Sequence, residues 1–522
     1  MATDAQVGVR MLVNTNPATG EVIGEYACAS AEEVRTAVER ARAAQLSWGA
    51  RPLRERLRVV RRFQELLLRK KDEVARTITL EAGKPMVESL LSEVVVSLDA
   101  AKFVMENAEA ILRDESVPHA NLAMKTKRGV LVWEPLGVIG IIAPWNYPFS
   151  TPATETLQAL AAGNAVVLKP SEFTPESSLM LGELLHQAGV PKDVMQVILG
   201  EGPTGAALIE SGVQKVIFTG SVATGKLVAK EAAARLLPVV LELGGKDPMI
   251  VLEDADVDVA SSGAVWGAMM NAGQTCLSVE RCYVHRGLYE RFVKLCVEKV
   301  SSLRVGNGMD PHTEVGPIIA ERQLKVIESQ VEDAQRRGAT VLCGGRRMPE
   351  VGPNFYAPTV ITDVTPEMEL MHRETFGPVL PIVPFDDDDH AVKLANDSEF
   401  GLSASVWTHD LQRGEAIARR LEAGAVMVND VVTCFAIAEA PHGGVKASGI
   451  GRTHGHLGLG EMVQVKYVAV DRIPKMKKLW WYGYGETFAK QMGAFTELLF
   501  GRGLGKVKGA VGSRGALWRE RR

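Results

Sequence analysis

The chain has 522 residues, of which 46% are hydrophobic and 23% are charged, and its formal net charge is −4. This length is enough for two or more domains with large buried cores, and the weak net charge excludes an overall basic character of the kind that binds nucleic acid or an anionic membrane. Six cysteines, at positions 28, 276, 282, 296, 343 and 434, have no paired spacing. They favour a reducing compartment over a disulfide framework or a zinc site, so we expect no metal.

No targeting segment is evident at the N-terminus. The segment MATDAQVGVRML has no basic region followed by an apolar one, so we expect no signal peptide. The apolar segment GVLVWEPLGVIGIIAP is interrupted by Glu134 and Pro135 and is too short to span a bilayer. These features predict a soluble, cytoplasmic protein of the size of an enzyme.

The first hundred residues are expected to be helical. Ser30 and Glu33 have the spacing of a capping box before an amphipathic run that ends near Trp48. Pro52 can begin a second helix, which carries apolar residues at helical spacing through Leu68.

Short β-branched runs then alternate with helical stretches. The runs are AVVLKP, VMQVILG, KVIFTG and LPVVLELGG, each followed by Gly or Pro, and a second region from 245 to 460 contains PMIVLE, RCYVHR, PVLPIVPF and AVMVND. This alternation predicts an α/β fold with a doubly wound, largely parallel sheet. Because such sheets bind ligands beyond the carboxyl ends of their strands, the residues after each run are the candidate site.

Two glycine-rich stretches resemble nucleotide-binding loops. Gly200–Gly205 matches G-x-G-x-x-G, but the next strand lacks the acidic residue of the full dinucleotide fingerprint, so a loop and helix start is the preferred interpretation. The stretch from Gly220 to Lys226 nearly matches a P-loop but has Leu227 where a magnesium-binding hydroxyl is needed, which disfavours an NTPase. A helix that starts after Gly220-Ser221 can still present N–H groups to a pyrophosphate.

Lys169 and Glu172 follow the strand run AVVLK. A lysine and a glutamate at this place can bind the two hydroxyls of an adenosine ribose. Glu172 would repel a 2′-phosphate, which favours NAD over NADP. The alternative is a surface ion pair, and taken alone it would be preferred.

Three residues have the chemistry of acyl transfer, and two of them, Asn146 and Glu242, follow or end strand runs. Cys276 offers a thiolate nucleophile, Asn146 an amide N–H for the developing oxyanion, and Glu242 a carboxylate that can take a proton from water. The apolar neighbours Leu241 and Leu243 would raise the pKa of Glu242 by desolvation. Each has an ordinary structural alternative: an inert buried cysteine, a turn asparagine and a satisfied structural carboxylate.

The motifs taken together closely resemble the NAD(P)-dependent aldehyde dehydrogenase superfamily. The resemblance runs from Asn16 to about Val470 and is carried by APWNYP, KPSE, FTGS with Gly225, LELGGKDP, GQTC, EVGPII, ETFGPV and PHGGVKASGIGR. It implies that Cys276 is the nucleophile, Glu242 the base for thioester hydrolysis and Asn146 the oxyanion donor together with the backbone N–H of Cys276. The presence of Glu242 argues for hydrolysis of the thioester and against transfer to coenzyme A.

The resemblance also implies a cofactor site, domain boundaries and an oligomer. The residues it assigns to the cofactor are Pro144, Trp145, Lys169, Ser171, Glu172, Gly202, Gly220, Ser221, Gly225, Leu243, Gly244, Glu374 and Phe376. The expected domains are a Rossmann-like NAD-binding domain (1–116 and 136–244), a catalytic domain (245–460), a β oligomerisation arm (117–135 and 461–473) and an aromatic, basic C-terminal extension (474–522). The family forms homodimers or homotetramers.

The substrate is expected to be an aliphatic or aromatic aldehyde. Relatives that act on succinate semialdehyde place arginine at the positions of Thr154 and Met270, and here both are uncharged. The residues Met269, Met270, Leu277, Cys434 and Phe435 suggest an apolar tunnel, although some of them could simply pack in the core. A succinate-semialdehyde dehydrogenase and a non-catalytic relative of the same fold are the alternatives.

Three segments depart from the family pattern. Glu155 stands where many relatives have lysine, which could change cofactor packing, and the segment GRTHGHLGLGEM (451–462) is expected not to touch the chemistry. Residues 501–522 hold seven Lys or Arg and one Glu. Before this basic end, one helical face is predicted to carry apolar side chains, those of Phe488, Met492, Phe495 and Leu499. This extension could dock on an anionic membrane surface, but we favour packing against the protein's own oligomer with a disordered basic end.

Overall fold

The computed structural model describes residues 10–121, 124–478 and 480–512, which form two compact units. The larger unit comprises the residues up to Arg113 together with Trp133–Val465. The smaller unit comprises Asp114–Val132 together with the chain from Lys466 onward. The expected domain boundaries stay predictions.

The N-terminal region begins with a β-hairpin and continues with helices. The antiparallel strands β1 (Met11–Thr15) and β2 (Val22–Ala27) show that the expectation of helix throughout the first hundred residues is wrong for this segment. The predicted capping box is present, because Ser30 Oγ accepts from the Glu33 N–H while Glu33 binds the Ser30 N–H. The elements that follow are α1 (Ala31–Gly49), α2 (Leu53–Arg69), α3 (Lys71–Ala82), α4 (Met86–Ser89), a π-helical turn (Leu90–Val95), α5 (Val96–Ile111), β3 (Glu115–Val117) and β4 (Lys127–Pro135).

A doubly wound parallel sheet follows, as predicted. Its elements are β5 (Val138–Ile142), α6 (Ser150–Ala162), β6 (Ala165–Lys169), α7 (Pro175–Ala188), β7 (Met195–Val197), α8 (Gly202–Glu210), β8 (Lys215–Thr219), α9 (Val222–Ala233) and β9 (Val239–Glu242). The parallel strands lie in the order β9-β8-β5-β6-β7, with the order reversing beside β5. A crevice at such a reversal is the place where open α/β sheets bind ligands.

A second sheet of seven strands forms in the later part of the chain. Its region contains β10 (Asp247–Val251), α10 (Val257–Met269), β11 (Val279–His285), α11 (Tyr289–Ser301), α12 (Glu321–Arg336), β12 (Thr340–Cys343), β13 (Thr359–Thr362), α13 (Glu369–His372), β14 (Val379–Phe385), α14 (Asp388–Asn396), β15 (Ser403–Trp407), α15 (Leu411–Ala418) and β16 (Ala425–Val428). The order is β12-β13-β14-β11-β10-β15-β16, and the pairs are parallel apart from β12 with β13.

Each sheet has its own hydrophobic core. One core contains the strands up to Leu243, and the other begins with Met249. The chain returns to the first sheet through the short strand β17 (Gly449–Ile450), which pairs antiparallel with β9, and then forms α16 (Gly455–Gly460). This return brings residues near 442–454 beside the end of β9.

The smaller unit contains a three-stranded sheet and the C-terminal helices. The strand β18 (Val463–Asp471) lies beside β4, which pairs antiparallel with β3. The helices α17 (Glu486–Phe500) and α18 (Leu504–Gly512) pack on each other, and Tyr482 and Phe500 are exposed. No helix among the described residues is long and apolar enough to cross a membrane.

Candidate active site

One large cavity, of about 1020 Å³, lies at the carboxyl ends of the first sheet's strands. Asn146, Glu242 and Cys276, which come from separate parts of the chain, all line it. Their gathering favours the catalytic interpretation over the three structural alternatives, because a thiol, a carboxyl and an amide share one concave site.

Asn146 follows β5, and hydrogen bonds hold both its side chain and its backbone carbonyl. Its side-chain Nδ2 donates to the Gln274 carbonyl oxygen at 3.0 Å, and its own carbonyl oxygen accepts from Lys84 Nζ at 2.6 Å. An amide nitrogen has two N–H donors, so one remains for a second acceptor. This geometry suits the oxyanion-donating role expected from the sequence.

The lysine that holds Asn146 belongs to a fully buried ion pair. Lys84 Nζ lies 2.6 Å from Glu93 Oε1, and the other Glu93 oxygen accepts from the backbone N–H groups of Phe149 and Ser150 at 3.1 and 2.8 Å. The pair therefore fixes the loop between β5 and α6 on which Asn146 lies. The sequence analysis did not identify Lys84 or Glu93 as site residues. The one feature that could have drawn attention to them is a charged residue within a largely apolar stretch.

Cys276 stands at the end of a strained turn. Asn271, Ala272 and Gly273 have φ values of 52°, 55° and 72°, in the left-handed region. A Cβ on Gly273 would lie 2.1 Å from the carbonyl oxygen of Gly377, so the turn requires glycine there. Gln274 anchors the turn by accepting from the Ile319 N–H at 2.8 Å and donating to the Asn271 carbonyl at 3.0 Å. Such strain is typical of a functional site that the surroundings hold in place.

Burial raises the pKa of the Cys276 thiol well above its ordinary value, and the nearby carboxyl of Asp247 adds to the shift. The thiolate form is therefore costly at neutral pH, and the nucleophile needs a group that takes its proton. Glu242, in the same cavity, has the required chemistry.

Glu242 ends β9 with both carboxyl oxygens unbonded to any described residue. Burial raises its pKa well above the ordinary value, Glu155 raises it further, and Arg452 opposes the shift. The raised pKa agrees in direction and main cause with the expectation from its apolar neighbours. A carboxylate of this kind is a stronger base than an exposed one.

The cofactor residues expected from the sequence line the same cavity, with one exception. Those that line it are Pro144, Trp145, Lys169, Ser171, Glu172, Gly202, Gly220, Ser221, Leu243, Gly244, Glu374 and Phe376. Gly225 instead packs beneath Leu243, where an added Cβ would lie 2.4 Å from Leu243 Cδ2. Gly225 thus gives Leu243 room, and its expected contact with the cofactor stays a prediction.

The strand ends and helix starts of the first sheet can accommodate a dinucleotide. Open space lies beside Gly202, the first residue of α8, since an added Cβ would meet nothing within 4 Å. The Ser221 hydroxyl accepts from the Thr224 N–H and so caps α9. Lys169 Nζ lies 4.0 Å from Glu172, inside the cavity, so the pair is not the surface pair of the alternative interpretation. These residues fit NAD or NADP.

Glu374 and Phe376 are held in place by residues from distant parts of the chain. Glu374 Oε1 accepts from the Gly245 N–H at 3.1 Å, and Trp145 packs edge-on against the Phe376 ring at 5.3 Å. The Phe376 N–H donates to Glu280 at 2.9 Å, and Glu280 is paired with buried Lys246 at 2.5 Å. This second buried pair fixes the segment expected to meet the nicotinamide.

A family comparison decides the identity of the fold. The family model described as "Aldehyde dehydrogenase family" matches residues 4–468. The chain belongs to the aldehyde dehydrogenase family. It is therefore an oxidoreductase that acts on an aldehyde group, with an α/β fold of the aldehyde dehydrogenase type, as the sequence motifs predicted.

Curated relatives and solved structures agree with this family membership. A putative succinate-semialdehyde dehydrogenase [NADP(+)] of Mycolicibacterium smegmatis is 40% identical over 456 residues, 87% of this chain and 88% of that protein. A 4,4′-diapolycopene aldehyde oxidase of Methylomonas sp is 36% identical over 93% of this chain and 91% of its own length. The NAD+ complex of an aldehyde dehydrogenase from Bacillus cereus is 36% identical with a TM-score of 0.85, covering 88% of this chain and 93% of that one.

The expected preference for NAD over NADP gains no support from these aldehyde dehydrogenases. One relative is named for NADP and one structure holds NAD, so the family establishes NAD(P) without choosing between them. The structure adds a reason: Arg322 Nη2 lies 3.5 Å from Glu172 Oε1 and could offset the repulsion of a 2′-phosphate by that carboxylate.

The substrate end of the cavity is largely apolar. Met270, Leu277 and Phe435 line it as expected, whereas Met269 and Cys434 are packed in the second core, as the alternative interpretation allowed. Within the described ranges, no group of three or more His, Cys, Asp or Glu side chains is arranged to hold a metal.

The segment GRTHGHLGLGEM touches the site, contrary to expectation. Thr453 and His454 line the cavity, and the His454 ring packs on Phe435 with centroids 4.6 Å apart. The His442 Nε2 atom lies 3.8 Å from Glu242 Oε2. The prediction failed because β17 folds this distant segment back against β9, a long-range pairing that sequence periodicity does not reveal.

Proposed function

We propose that this aldehyde dehydrogenase oxidises an aliphatic or aromatic aldehyde to its carboxylic acid through a thiohemiacetal and a thioester on Cys276. The observation that carries the proposal is the convergence of Cys276, Asn146 and Glu242 on one cavity that also holds the dinucleotide-binding residues. Bound NAD(P) supplies the hydride acceptor.

The steps follow from the chain's own side chains. The Cys276 thiol gives its proton to Glu242, and the sulfur attacks the aldehyde carbon. The Asn146 amide donates to the oxygen that becomes negative in the tetrahedral adduct. After the hydride has left, Glu242 releases that proton to solvent and becomes a carboxylate again. It then takes a proton from water, and the water oxygen bonds to the thioester carbon. The C–S bond breaks, the sulfur leaves as a thiolate and the carboxylic acid is released.

The cavity's charge distribution favours an uncharged substrate tail. The Lys and Arg residues among its described lining are Lys169, Lys230 and Arg322. Lys169 is an expected cofactor residue, Arg322 pairs with Glu172, and Lys230 lies on α9, which Ser221 caps. Thr154, where relatives that use succinate semialdehyde carry arginine, turns its hydroxyl to the Ser150 carbonyl at 2.9 Å. A distal carboxylate would therefore meet no bidentate partner of the kind that arginine offers.

A succinate-semialdehyde dehydrogenase is the second candidate, favoured by the name of the relative at 40% identity. The name of the Methylomonas relative, by contrast, supports an apolar aldehyde. Formation of reduced cofactor with hexanal, benzaldehyde and succinate semialdehyde separates the two. We expect kcat/KM for hexanal or benzaldehyde to exceed that for succinate semialdehyde, and the reverse order would replace our proposal by the second candidate.

We further propose that the protein works in the cytoplasm as a homodimer or homotetramer. The family comparisons give no support to membrane contact by the extension at 474–522, since the matched region ends at residue 468. Light scattering on the purified protein measures the mass of the assembly. Co-sedimentation with anionic vesicles, comparing the full chain with a chain ending at residue 474, tests the membrane hypothesis; equal pelleting would remove it.

A further inference from the structure

A second buried carboxyl, Glu155 on α6, lines the active-site cavity beside Glu242. Its side chain is 2% exposed. Neither the thiol chemistry nor the dinucleotide site uses it. A buried carboxyl without such a use is costly, which raises the question of what it does there.

The sheet register brings Glu155 close to the base. Thr219 and Glu242 are paired residues in the adjacent parallel strands β8 and β9, so their backbones lie about 5 Å apart. The Thr219 side chain faces the Glu155 carboxyl and acts to lower its pKa, against the larger effect of burial. Among the charged groups, Glu155 has the largest effect on Glu242.

The polar atoms around the two carboxyls leave room for water. Both Glu242 oxygens are buried and form no hydrogen bond with another residue in the described part of the chain. Buried polar atoms of native proteins are normally paired with protein or ordered water. Water between Glu155 and Glu242 would satisfy these atoms and would connect the two carboxyls.

The other titratable groups that face Glu242 are poor proton acceptors. Burial lowers the pKa of His442 to about 4 and that of His454, which packs behind it, to about 3. Arg452 is a cation whose guanidinium donates to the Gly444 and Gly451 carbonyls. The sulfur of Cys276 is bonded to the acyl group during thioester hydrolysis in the proposed mechanism, so it cannot accept the proton. Burial raises the pKa of Glu155 to about 8, so this group can both hold and release a proton near neutral pH.

We propose that Glu155 is the proton-relay partner of Glu242, the two carboxyls sharing one proton through water so that Glu242 is the ionised member when water attacks the thioester. This inference rests on the proposed function. Two like charges in one buried site disfavour double ionisation, which keeps the proton on Glu155 while Glu242 is charged. When Glu242 takes the proton of the attacking water, Glu155 releases its own to another water in the cavity, from which it passes to solvent. The pair returns to one shared proton.

The test compares wild type with Glu155→Gln and Glu155→Asp by rapid mixing with hexanal and NAD. Glutamine fills the same volume but cannot carry a proton between two waters. We expect Glu155→Gln to keep the initial burst of NADH and to slow the later, hydrolysis-limited rate by at least about tenfold. Added imidazole should recover part of the later rate in Glu155→Gln. The later rate of Glu155→Asp should lie between those of wild type and Glu155→Gln. Glu210→Gln, at a half-exposed carboxyl on the same cavity's rim, is the matched control and should behave as wild type.

The pH profile of the later rate separates a relay from a structural role. In wild type, the pH dependence of the later rate should require two titrating groups, as for a coupled carboxyl pair. In Glu155→Gln, a single titrating group should describe it. An unchanged later rate in Glu155→Gln would overturn the relay. An equal slowing of the burst and the later rate, without recovery by imidazole, would also overturn the relay, because it indicates a packing defect. If Glu155→Gln does not fold, the test falls to Glu155→Asp: a wild-type pH profile with no effect of imidazole in that variant would overturn the relay. Failure of the proposed function is distinct, because wild type itself would then form no NADH.

Discussion

The ammonium group of Lys84 lies 2.6 Å from the carbonyl oxygen of Asn146 and joins the oxyanion loop to a buried carboxylate. Lys84 comes from the turn after α3, far from the strand that presents Asn146. The cation also lies 4.0 Å from the Tyr147 ring centroid. One buried charge thus contacts the backbone of Asn146, the ring of Tyr147 and the carboxylate that holds the following loop.

Replacing this lysine should damage both stability and chemistry. Lys84→Met leaves the Glu93 carboxylate buried without its cation, and breaking a buried pair in this way costs about 3–5 kcal/mol. We expect a lower denaturation midpoint and a lower kcat, measured by chemical denaturation and by NADH formation. Lys71→Met removes an exposed pair with Asp72 and serves as the control. Equal stabilities of the two variants would contradict the role assigned to Lys84.

Glycine at position 273 is required by contact as well as by backbone conformation. Gly273→Ala should displace the turn before Cys276, because the new Cβ would meet the Gly377 carbonyl at 2.1 Å. The comparison variant is Gly338→Ala, at a φ of 101° with nothing within 4 Å of an added Cβ. It isolates the backbone strain of an L-residue at positive φ, about 1–2 kcal/mol. We expect loss of NADH formation in the first variant alone. An active Gly273→Ala would show that the turn is more adaptable than its contacts indicate.

Activity should rise with pH. The pKa values of Cys276 and Glu242 are both raised mainly by burial, and each group acts after losing its proton. The ionised fraction of both therefore increases as the pH increases, so the rate should climb from neutral to alkaline pH whichever step limits turnover. Initial rates across this interval, with cofactor and aldehyde saturating, measure the effect. A rate that declines over the interval would mean that neither group must lose a proton.

The choice between NAD and NADP should depend on the balance between Glu172 and Arg322. Glu172→Gln removes the charge that repels a 2′-phosphate while Arg322 stays in place. We expect the ratio of kcat/KM for NADP to that for NAD to increase, and Arg322→Gln to decrease it. The same ratio in all three proteins would place the 2′-hydroxyl elsewhere in the cavity.

The sequence was most informative where chemistry follows a strand. The runs ending at Lys169, Thr219 and Glu242 were recognisable as strands, and the residues after them reached the cavity because parallel strands deliver their carboxyl ends to one edge. Cys276 and Asn146 were predicted by residue type and by family resemblance.

The residues that the sequence missed depend on long-range pairing. Lys246 pairs with Glu280, and Thr453 lies at the cavity although it is distant in sequence from most of the other lining residues. Both features join segments far apart in the chain, and no local pattern encodes such contacts. The hairpin at Met11–Ala27 was overlooked because its strands are short and mostly exposed, so they lack a continuous apolar signal.

The central claim is that a thioester forms on Cys276 and that Glu242 directs its hydrolysis. The most direct measurement mixes Glu242→Gln with hexanal and NAD, follows NADH, and then identifies the acylated peptide by mass spectrometry. We predict a burst approaching one NADH per subunit, little turnover afterwards, and a hexanoyl group on Cys276. Continued turnover at the wild-type rate, or a burst that leaves the Cys276 peptide unmodified, would contradict it.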